Sequence, residues 1–531
     1  MRHVLTGYFA LVLHAHLPFV RHPDDSTVME ERWLYEAIVD TYLPLLQVFE
    51  GLGRDQVPFR CTVSLSAPLI SMLTDDLLKM RAAAHLDELV GLADKEIERT
   101  KNEPAYQRLA VMYQERFRSL RETWRAHEGN LVQAYRRLQD SGQLEVITST
   151  ATHAFFPLLD RNWPALRAQV HVAADLYEKH FDRRPQGLWL GECGYVEGID
   201  ELLREASIRY FVVDSHGLLN AAEPPVYGVY APVYCPSGVA AFARDPESSE
   251  QVWSAEHGYP GDPHYRDFYR DIGFDLPMDY IGPHVHPEGH RLYTGFKYQA
   301  ITHEHLHDKW IYDPDVARGR AGLHASHFRG EMEKQVERVA AHMDRPPLVV
   351  SPYDAELFGH WWFEGPVFVG DVLRQLHFDQ NVIETITPEL YLERHSTNQR
   401  VVPADSSWGL KGFNEQWLNE SNAWVWPHLH AAGERMVELA RKHATASDPL
   451  VRRALDQAAR ELMLAQSSDW PFIMSTGTTT AYATRRFNEH IIRFDQLYRE
   501  LEEGRLDAEF LRKIESEDNL FPDIDYRIYA S

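Results

Sequence analysis

The chain of 531 residues is poor in cysteine, in long apolar runs and in clustered positive charge, and each shortage removes a class of function. Its three cysteines, Cys61, Cys193 and Cys235, are far apart and odd in number, which argues against a disulfide framework and against paired-thiolate metal motifs and predicts a reducing cytoplasm. No stretch approaches the roughly 18 consecutive apolar residues that a membrane span needs. The apolar start, Val4 to Leu13, imitates a secretion signal, but His14, His16 and Pro18 interrupt it before any small-residue cleavage site, so it predicts a buried first strand. A formal charge of −25 without Lys or Arg clusters argues against a groove for a phosphate backbone. A neutral or cationic ligand suits this chain better. Gly-rich phosphate loops, Ser-His-Asp elbows, internal repeats and low-complexity tracts are absent as well.

What is present is enough apolar material, 44% of residues, for one large catalytic domain and a second unit. Strand-like runs recur at Phe9–His16, Phe59–Ser64, Leu144–Ser149, Leu188–Gly191, Tyr210–Asp214 and Leu348–Ser351. They are mostly continuous apolar stretches, the pattern of a parallel sheet covered on both faces. Residues 75–142, rich in Glu, Arg, Leu and Ala, exceed one crossover helix and read as a helical insertion. Residues 226–287 turn to Pro, Gly, Tyr, His and Asp, the chemistry of a long loop over a site. After about Pro403 the spacing is helical, with amphipathic stretches at Asn422–His443, Pro449–Gln466 and Thr480–Glu503. The expected division is therefore 1–402 for the catalytic unit and 403–531 for a helical bundle. Glu31-Glu-Arg-Trp-Leu-Tyr reads as a solvated helix face with an aromatic anchor.

Two short apolar runs end in carboxylates among aromatic residues: Gly187-Leu-Trp-Leu-Gly-Glu192-Cys-Gly-Tyr195, and Leu348 to Asp354 with Trp361 and Trp362 beyond. In a parallel barrel a residue just after a strand lies at the catalytic mouth, and a pair of carboxylates there can divide nucleophile and proton-donor roles at a glycosidic bond. For an arbitrary acid a helix cap or a wet surface position is the commoner fate. The rings of Trp189, Tyr195, Tyr353, Trp361 and Trp362 tilt the reading toward sugar, whose faces stack on aromatics. His14 and His16, two apart on a strand, point to one face. Sugar contact, a pair of satisfied core histidines, and a metal site completed by His153 and Asp214 are all open to them. A third constellation runs from Asp405 through Trp408 and Trp417 to Asn419, with Trp424 and Trp426 following and Ser468-Asp469-Trp470-Pro471 beyond. It reads as a stacking wall for a sugar chain, with bundle core and an N-cap as the plainer alternatives.

These motifs resemble glycoside hydrolase family 57, and within it the 1,4-α-glucan branching enzymes. His14-Ala-His-Leu-Pro18 is similar to the first family motif, Gly142 to His153 to the second, Trp189 to Cys193 to the third, Ser351 to Asp354 to the fourth and Ser407 to Asn419 to the fifth. The resemblance covers nearly the whole chain. It implies an α/β fold, a distorted (β/α)7 barrel with a helical insertion and a C-terminal helical-bundle domain. It also implies Glu192 as nucleophile, Asp354 as general acid/base, a retaining mechanism, and no metal or cofactor. The same resemblance implies sugar contacts from Trp408, Asp469, Arg266 and Gly282, which join His14, His16, His153, Trp362 and Trp417 as the expected contacts to α-1,4-glucan donor and acceptor chains, and it implies that the segment Tyr234–Glu250 is a mobile loop over the site. No nucleic-acid or membrane partner is expected. The competing readings are an α-amylase or 4-α-glucanotransferase on the same scaffold, a metal-dependent polysaccharide deacetylase, and a non-catalytic glucan-binding protein.

Overall fold

The computed structural model describes residues 5–254, 258–303 and 308–530, and of Leu410 the backbone alone. Nine strands form its sheet: β1 (Gly7–Ala15), β2 (Cys61–Leu65), β3 (Leu144–Ser149), β4 (Gly187–Trp189), β5 (Tyr210–Val213), β6 (Val233–Tyr234), β7 (Ala240–Ala243), β8 (Leu348–Asp354) and β9 (Ile383–Thr385). Seven of them run parallel in the spatial order β7-β5-β4-β3-β2-β1-β8, while β6 hangs antiparallel on the outside of β7. All nine residues of β1 are buried, as a central strand covered on both faces requires. On one edge β1 pairs with β8 from Tyr8 to His14, in a register that sets His14 beside Asp354; on the other it takes β9 at Gly7–Phe9 and β2 at Val12–Ala15.

The sheet curls into a (β/α)7-type barrel that no strand ladder closes. Between β7 and β8 the described residues provide one backbone bond, Asp245 N–H to the Val350 carbonyl at 2.8 Å, and a hydroxyl contact of 2.6 Å between Ser248 and Ser351. Six strands lie where the apolar runs predict them. The hairpin β6–β7 and the short β9 do not follow from the sequence, because Ala240-Ala-Phe-Ala lacks β-branched residues and three residues leave no period to read. The expected mobile loop at Tyr234–Glu250 is instead this hairpin, turned at Gly238 with φ +93°, followed by the start of helix Pro246–Trp253. β7 is held by β5, and β6 by backbone bonds of Tyr234 with Gln399 and Val401.

Residues 75–142 fold as helices Asp76–Arg99, Pro104–Ala126 and Leu131–Asp140. The Asp75 carboxylate caps the first by accepting the Leu78 N–H, and Pro104 opens the second, where its missing N–H leaves nothing unpaired. The excursion 258–303 lies against them, with Tyr113 donating to the Lys297 carbonyl at 2.7 Å and Tyr298 to the Glu96 carboxylate at 2.8 Å. Residues 255–257 of the expected loop region lie outside the described residues. Glu31, expected on a wet helix face, is 1% exposed and accepts from Arg81 and Tyr35, which corrects that reading: an acid enters the interior when a guanidinium and a phenol come with it.

The C-terminal part packs helices Val425–Lys442, Pro449–Ala465, Asp469–Thr476, Thr480–Glu503 and Ala508–Glu517. Helix Pro449–Ala465 is buried on every face over its last turns, Ala458 to Ala465, so it runs into the molecule rather than along its surface. It ends at Gln466, and the turn Ser467-Ser468 carries the chain into the next helix against the barrel mouth.

Candidate active site

Glu192 stands just past β4 in a left-handed backbone conformation, φ +59° and ψ +25°, followed by Cys193 at φ +52°. Each such residue costs about 1 kcal/mol or more, so the surroundings must enforce it. Gly191 makes this possible: a Cβ there would meet the Ala154 carbonyl at 2.6 Å, so only glycine lets this turn press against the segment after β3. His153 in that segment is also left-handed, at φ +57°. Two further segments lock the turn. The Glu192 carbonyl accepts the Trp408 N–H at 3.0 Å, Tyr195 and Ser406 exchange backbone bonds, and Ser468 N–H donates to the His153 carbonyl at 3.2 Å.

The Glu192 carboxylate is held on both oxygens. Trp408 donates Nε1–H to Oε2 at 2.8 Å, and the Ser468 hydroxyl lies 2.9 Å from Oε1. Burial, with the nearby charge of Asp469, leaves its pKa raised, while the Trp408 and Ser468 bonds and His16 act against that rise. Asp354, at the end of β8, has a different environment, in which no described side chain donates to its carboxylate. Burial first, then the negative charges of Glu356 and Glu192, push its pKa well above the usual carboxylate range, while Arg244 opposes them. The two acids are thus close enough to feel each other, with one solvated by fixed donors and the other surrounded by negative charge. A difference of environment of this kind is what lets two neighbouring carboxylates take different protonation states.

The imidazoles complete the mouth. His14 and His153 approach Nε2 to Nε2 at 3.0 Å, His14 Nδ1 lies 3.0 Å from Ser64 Oγ, and His153 Nδ1 lies 2.8 Å from Ser468 Oγ. His14 stacks on Trp189 at 4.6 Å, and His153 on His16 at 3.9 Å. Burial, reinforced by the neighbouring rings, lowers the pKa of His14 and of His153 far below the ordinary value. His16 behaves oppositely: burial would lower it, yet Asp469 at 3.0 Å, with Glu356 and Glu192 nearby, leaves its pKa raised. Asp469 in turn is held at about 2; its burial is outweighed by His16 and His153.

The sequence-predicted residues therefore divide. Glu192, Asp354, His14, His16, His153, Trp408 and Asp469 meet at one mouth. Within it His14 is 1% exposed, with both ring nitrogens engaged by Ser64 and His153. Trp362 is a correction: it is 1% exposed and packs on Tyr265 and Phe368, while its neighbour Trp361 stays open. Trp417 is another, stacked on Phe155 at 4.4 Å inside the core with no face for a ligand. Arg266 is buried with its guanidinium 3.8 Å from the Phe363 ring centre and its backbone N–H on the Glu364 carboxylate, which fastens the excursion to the segment after β8; none of these contacts is with the two carboxylates. Gly282 opens the turn Gly282–His284, whose His284 meets Lys95 of the insertion. An apolar core claims large rings wherever a helix or loop packs, and spacing alone does not separate such rings from a sugar platform.

The metal set His14, His16, His153 and Asp214 is not assembled. Asp214 pairs with Arg244 and His216 beyond β5. The ligand atoms of His16, His153 and Asp469 do lie within 4.8 Å of one another. Every nitrogen of His14, His16 and His153 already has a hydrogen-bond partner, however, so a cation would have to break that network. Residues that the sequence reading did not select are Glu356, Arg244, Trp253 and Ser468. Glu356 had a signal in its position two residues after Asp354, and Trp253 is a 39% exposed ring set edge-on to Trp408.

The profile of glycosyl hydrolase family 57 matches residues 10–404, and that of the 1,4-alpha-glucan branching enzyme C-terminal region matches residues 428–529. A 1,4-alpha-glucan branching enzyme of Thermococcus kodakarensis is 35% identical, the match covering 99% of this chain and 79% of that protein. Among solved structures, the alpha-amylase AmyC of Thermotoga maritima gives a TM-score of 0.93 at 45% identity and covers 99% of both chains. A GH57-type branching enzyme of Pyrococcus horikoshii gives 0.89 at 33% identity, covering 99% of this chain and 97% of its own. The chain belongs to glycosyl hydrolase family 57.

Proposed function

We propose that this protein is a retaining 1,4-α-glucan branching enzyme. Glu192 attacks the anomeric carbon of an α-1,4 linkage while Asp354 gives its proton to the departing glucan oxygen, leaving a glycosyl ester on Glu192. Asp354, now ionised, takes the proton of an acceptor 6-hydroxyl, whose oxygen displaces Glu192 and forms the α-1,6 branch. Each displacement inverts, so the α configuration is kept. Trp408 and Trp253 offer rings at the mouth, and His16 and Asp469 offer polar atoms to sugar hydroxyls. The buried, unpaired thiols of Cys61, Cys193 and Cys235 suit a reducing cytoplasm, and no helix among the described residues is long and apolar enough to cross a membrane.

The observation that carries branching is the origin of Ser468 and Asp469. Both belong to the stretch that matches the branching-enzyme C-terminal profile, and both bond directly to the mouth, Ser468 to Glu192 and Asp469 to His16. An α-amylase is the second reading, favoured by the 45% identity to AmyC. Incubation with amylose separates them. Branching lowers iodine absorbance with few new reducing ends, and isoamylase then releases short chains; hydrolysis raises reducing ends in step with the loss of colour, and isoamylase releases nothing.

A further inference from the structure

The contacts between Ser64, His14, His153, Ser468 and Glu192 form an unbranched series of 3.0, 3.0, 2.8 and 2.9 Å. Counting hydrogens gives the series a direction. A serine hydroxyl has one hydrogen and a carboxylate has none, so with Glu192 ionised the Ser468 hydrogen goes to Oε1 and Ser468 Oγ accepts from His153. His153 then carries its hydrogen on Nδ1. A neutral ring leaves Nε2 bare, which takes the Nε2–H of His14, and the bare Nδ1 of His14 takes the hydroxyl of Ser64. The opposite direction needs a hydrogen on Glu192 itself.

We propose that Ser468 and His153 are positioning residues for Glu192. With Ser64 and His14 they form a one-directional chain of hydrogen bonds that orients the nucleophile as an ionised carboxylate without placing a positive charge beside it. This rests on Glu192 being the nucleophile and assigns how it is prepared. Neutrality is the useful property. An imidazolium at His153 would also favour the ionised form of Glu192, but it would cancel the negative field that keeps the proton on Asp354. A chain of neutral donors favours Glu192 ionisation through a bond and leaves that field in place. The groups facing Glu192 are His153 after β3, His16 just past β1, Asp469 from the C-terminal helices and Asp354 across the mouth, with Glu356 and Arg244 beside Asp354. Two cations stand among them, and each has its own counter-charge: His16 is paired with Asp469, and Arg244 with Asp214.

Ser468→Ala tests the chain in the full-length protein. The Ser468 hydroxyl does not cap its helix, so alanine removes the bond to Glu192 without unseating the backbone. On amylose, kcat should fall on the order of 10- to 100-fold, the loss of one bond to a charged group, with KM nearly unchanged. The acid limb of the pH profile should move to higher pH, because Glu192 loses a donor that favours its charged form. His153→Asn keeps a donor at the Nδ1 position and tolerates the left-handed backbone, so it should retain most of the rate, whereas His153→Leu should lose as much as Ser468→Ala. Nitrogen-15 NMR of labelled imidazoles should place the hydrogen on Nδ1 of His153 and on Nε2 of His14. An unmoved acid limb and rate in Ser468→Ala, or a hydrogen on Nε2 of His153, would overturn the chain. Glu192→Gln separates the two claims. If it stays active the nucleophile assignment fails, and if it is dead while Ser468→Ala matches the parent, only the chain fails.

Discussion

Asp469→Asn should destabilise the folded protein by an amount that depends on pH in a defined window. The parent holds Asp469 at about 2 against an ordinary 3.8, because of His16 and His153. At about 1.4 kcal/mol per pH unit, that difference corresponds to about 2.5 kcal/mol of folding free energy. The folded value is the lower one, so this stability is complete above the unfolded value and lost as pH falls through the folded value; the linkage relation leaves about 1.3 kcal/mol at pH 3. His16 is the same interaction seen from the other side. Its pKa is raised, so the contribution is present below its ordinary value of 6.5 and disappears as pH rises through the folded value. The gap between parent and variant should therefore be widest between about pH 5 and 6.5 and narrow in both directions. Urea denaturation at pH 3, 5.5 and 8.5 measures it, and asparagine preserves shape, so packing loss adds little. A gap that is equal at all three values would show that Asp469 acts through packing and not through its charge. No gap at pH 5.5 would show that the pair contributes nothing to folding.

Glu192→Gln and Asp354→Asn should each lower turnover on amylose by about a thousandfold or more while the melting temperature stays near that of the parent, since each substitution is close to isosteric. Glu356→Gln removes one of the negative charges beside Asp354, so the proton on Asp354 is held less firmly and the basic limb of the activity profile should move to lower pH. An unmoved or raised limb would contradict that. Trp417→Ala should cost about 3–5 kcal/mol of stability because it empties a fully packed core position. Trp408→Ala should instead leave stability nearly intact and lower the rate through Glu192, a contrast read by denaturation and iodine assay on the same two variants.

Much of the barrel was legible because its strands are apolar on both faces, and continuous runs such as Leu348 to Tyr353 have few other fates in a soluble chain. Glu192 and Asp354 stood out for their place after such runs. What stayed hidden involves partners distant in sequence or elements too short to show a period. Ser468 meets His153 across 315 positions, and nothing local marks it apart from any serine before a helix. The tryptophans show the limit from the other side. Trp408, Trp417 and Trp426 share one stretch, yet Trp408 holds the carboxylate, and Trp417 and Trp426 are core, joined by a bond from Trp426 Nε1–H to the Trp417 carbonyl. Ring type predicts burial or stacking equally well, and only packing distinguishes them.

The turn Ser467-Ser468 has a consequence during synthesis. Every strand of the barrel has left the ribosome by Thr385, whereas the hydroxyl that holds Glu192 and the acid that holds His16 are made more than eighty residues later. A growing polypeptide can thus assemble its whole sheet while its nucleophile remains unaimed. The mouth is then completed only when the turn at residues 467–469 packs against it.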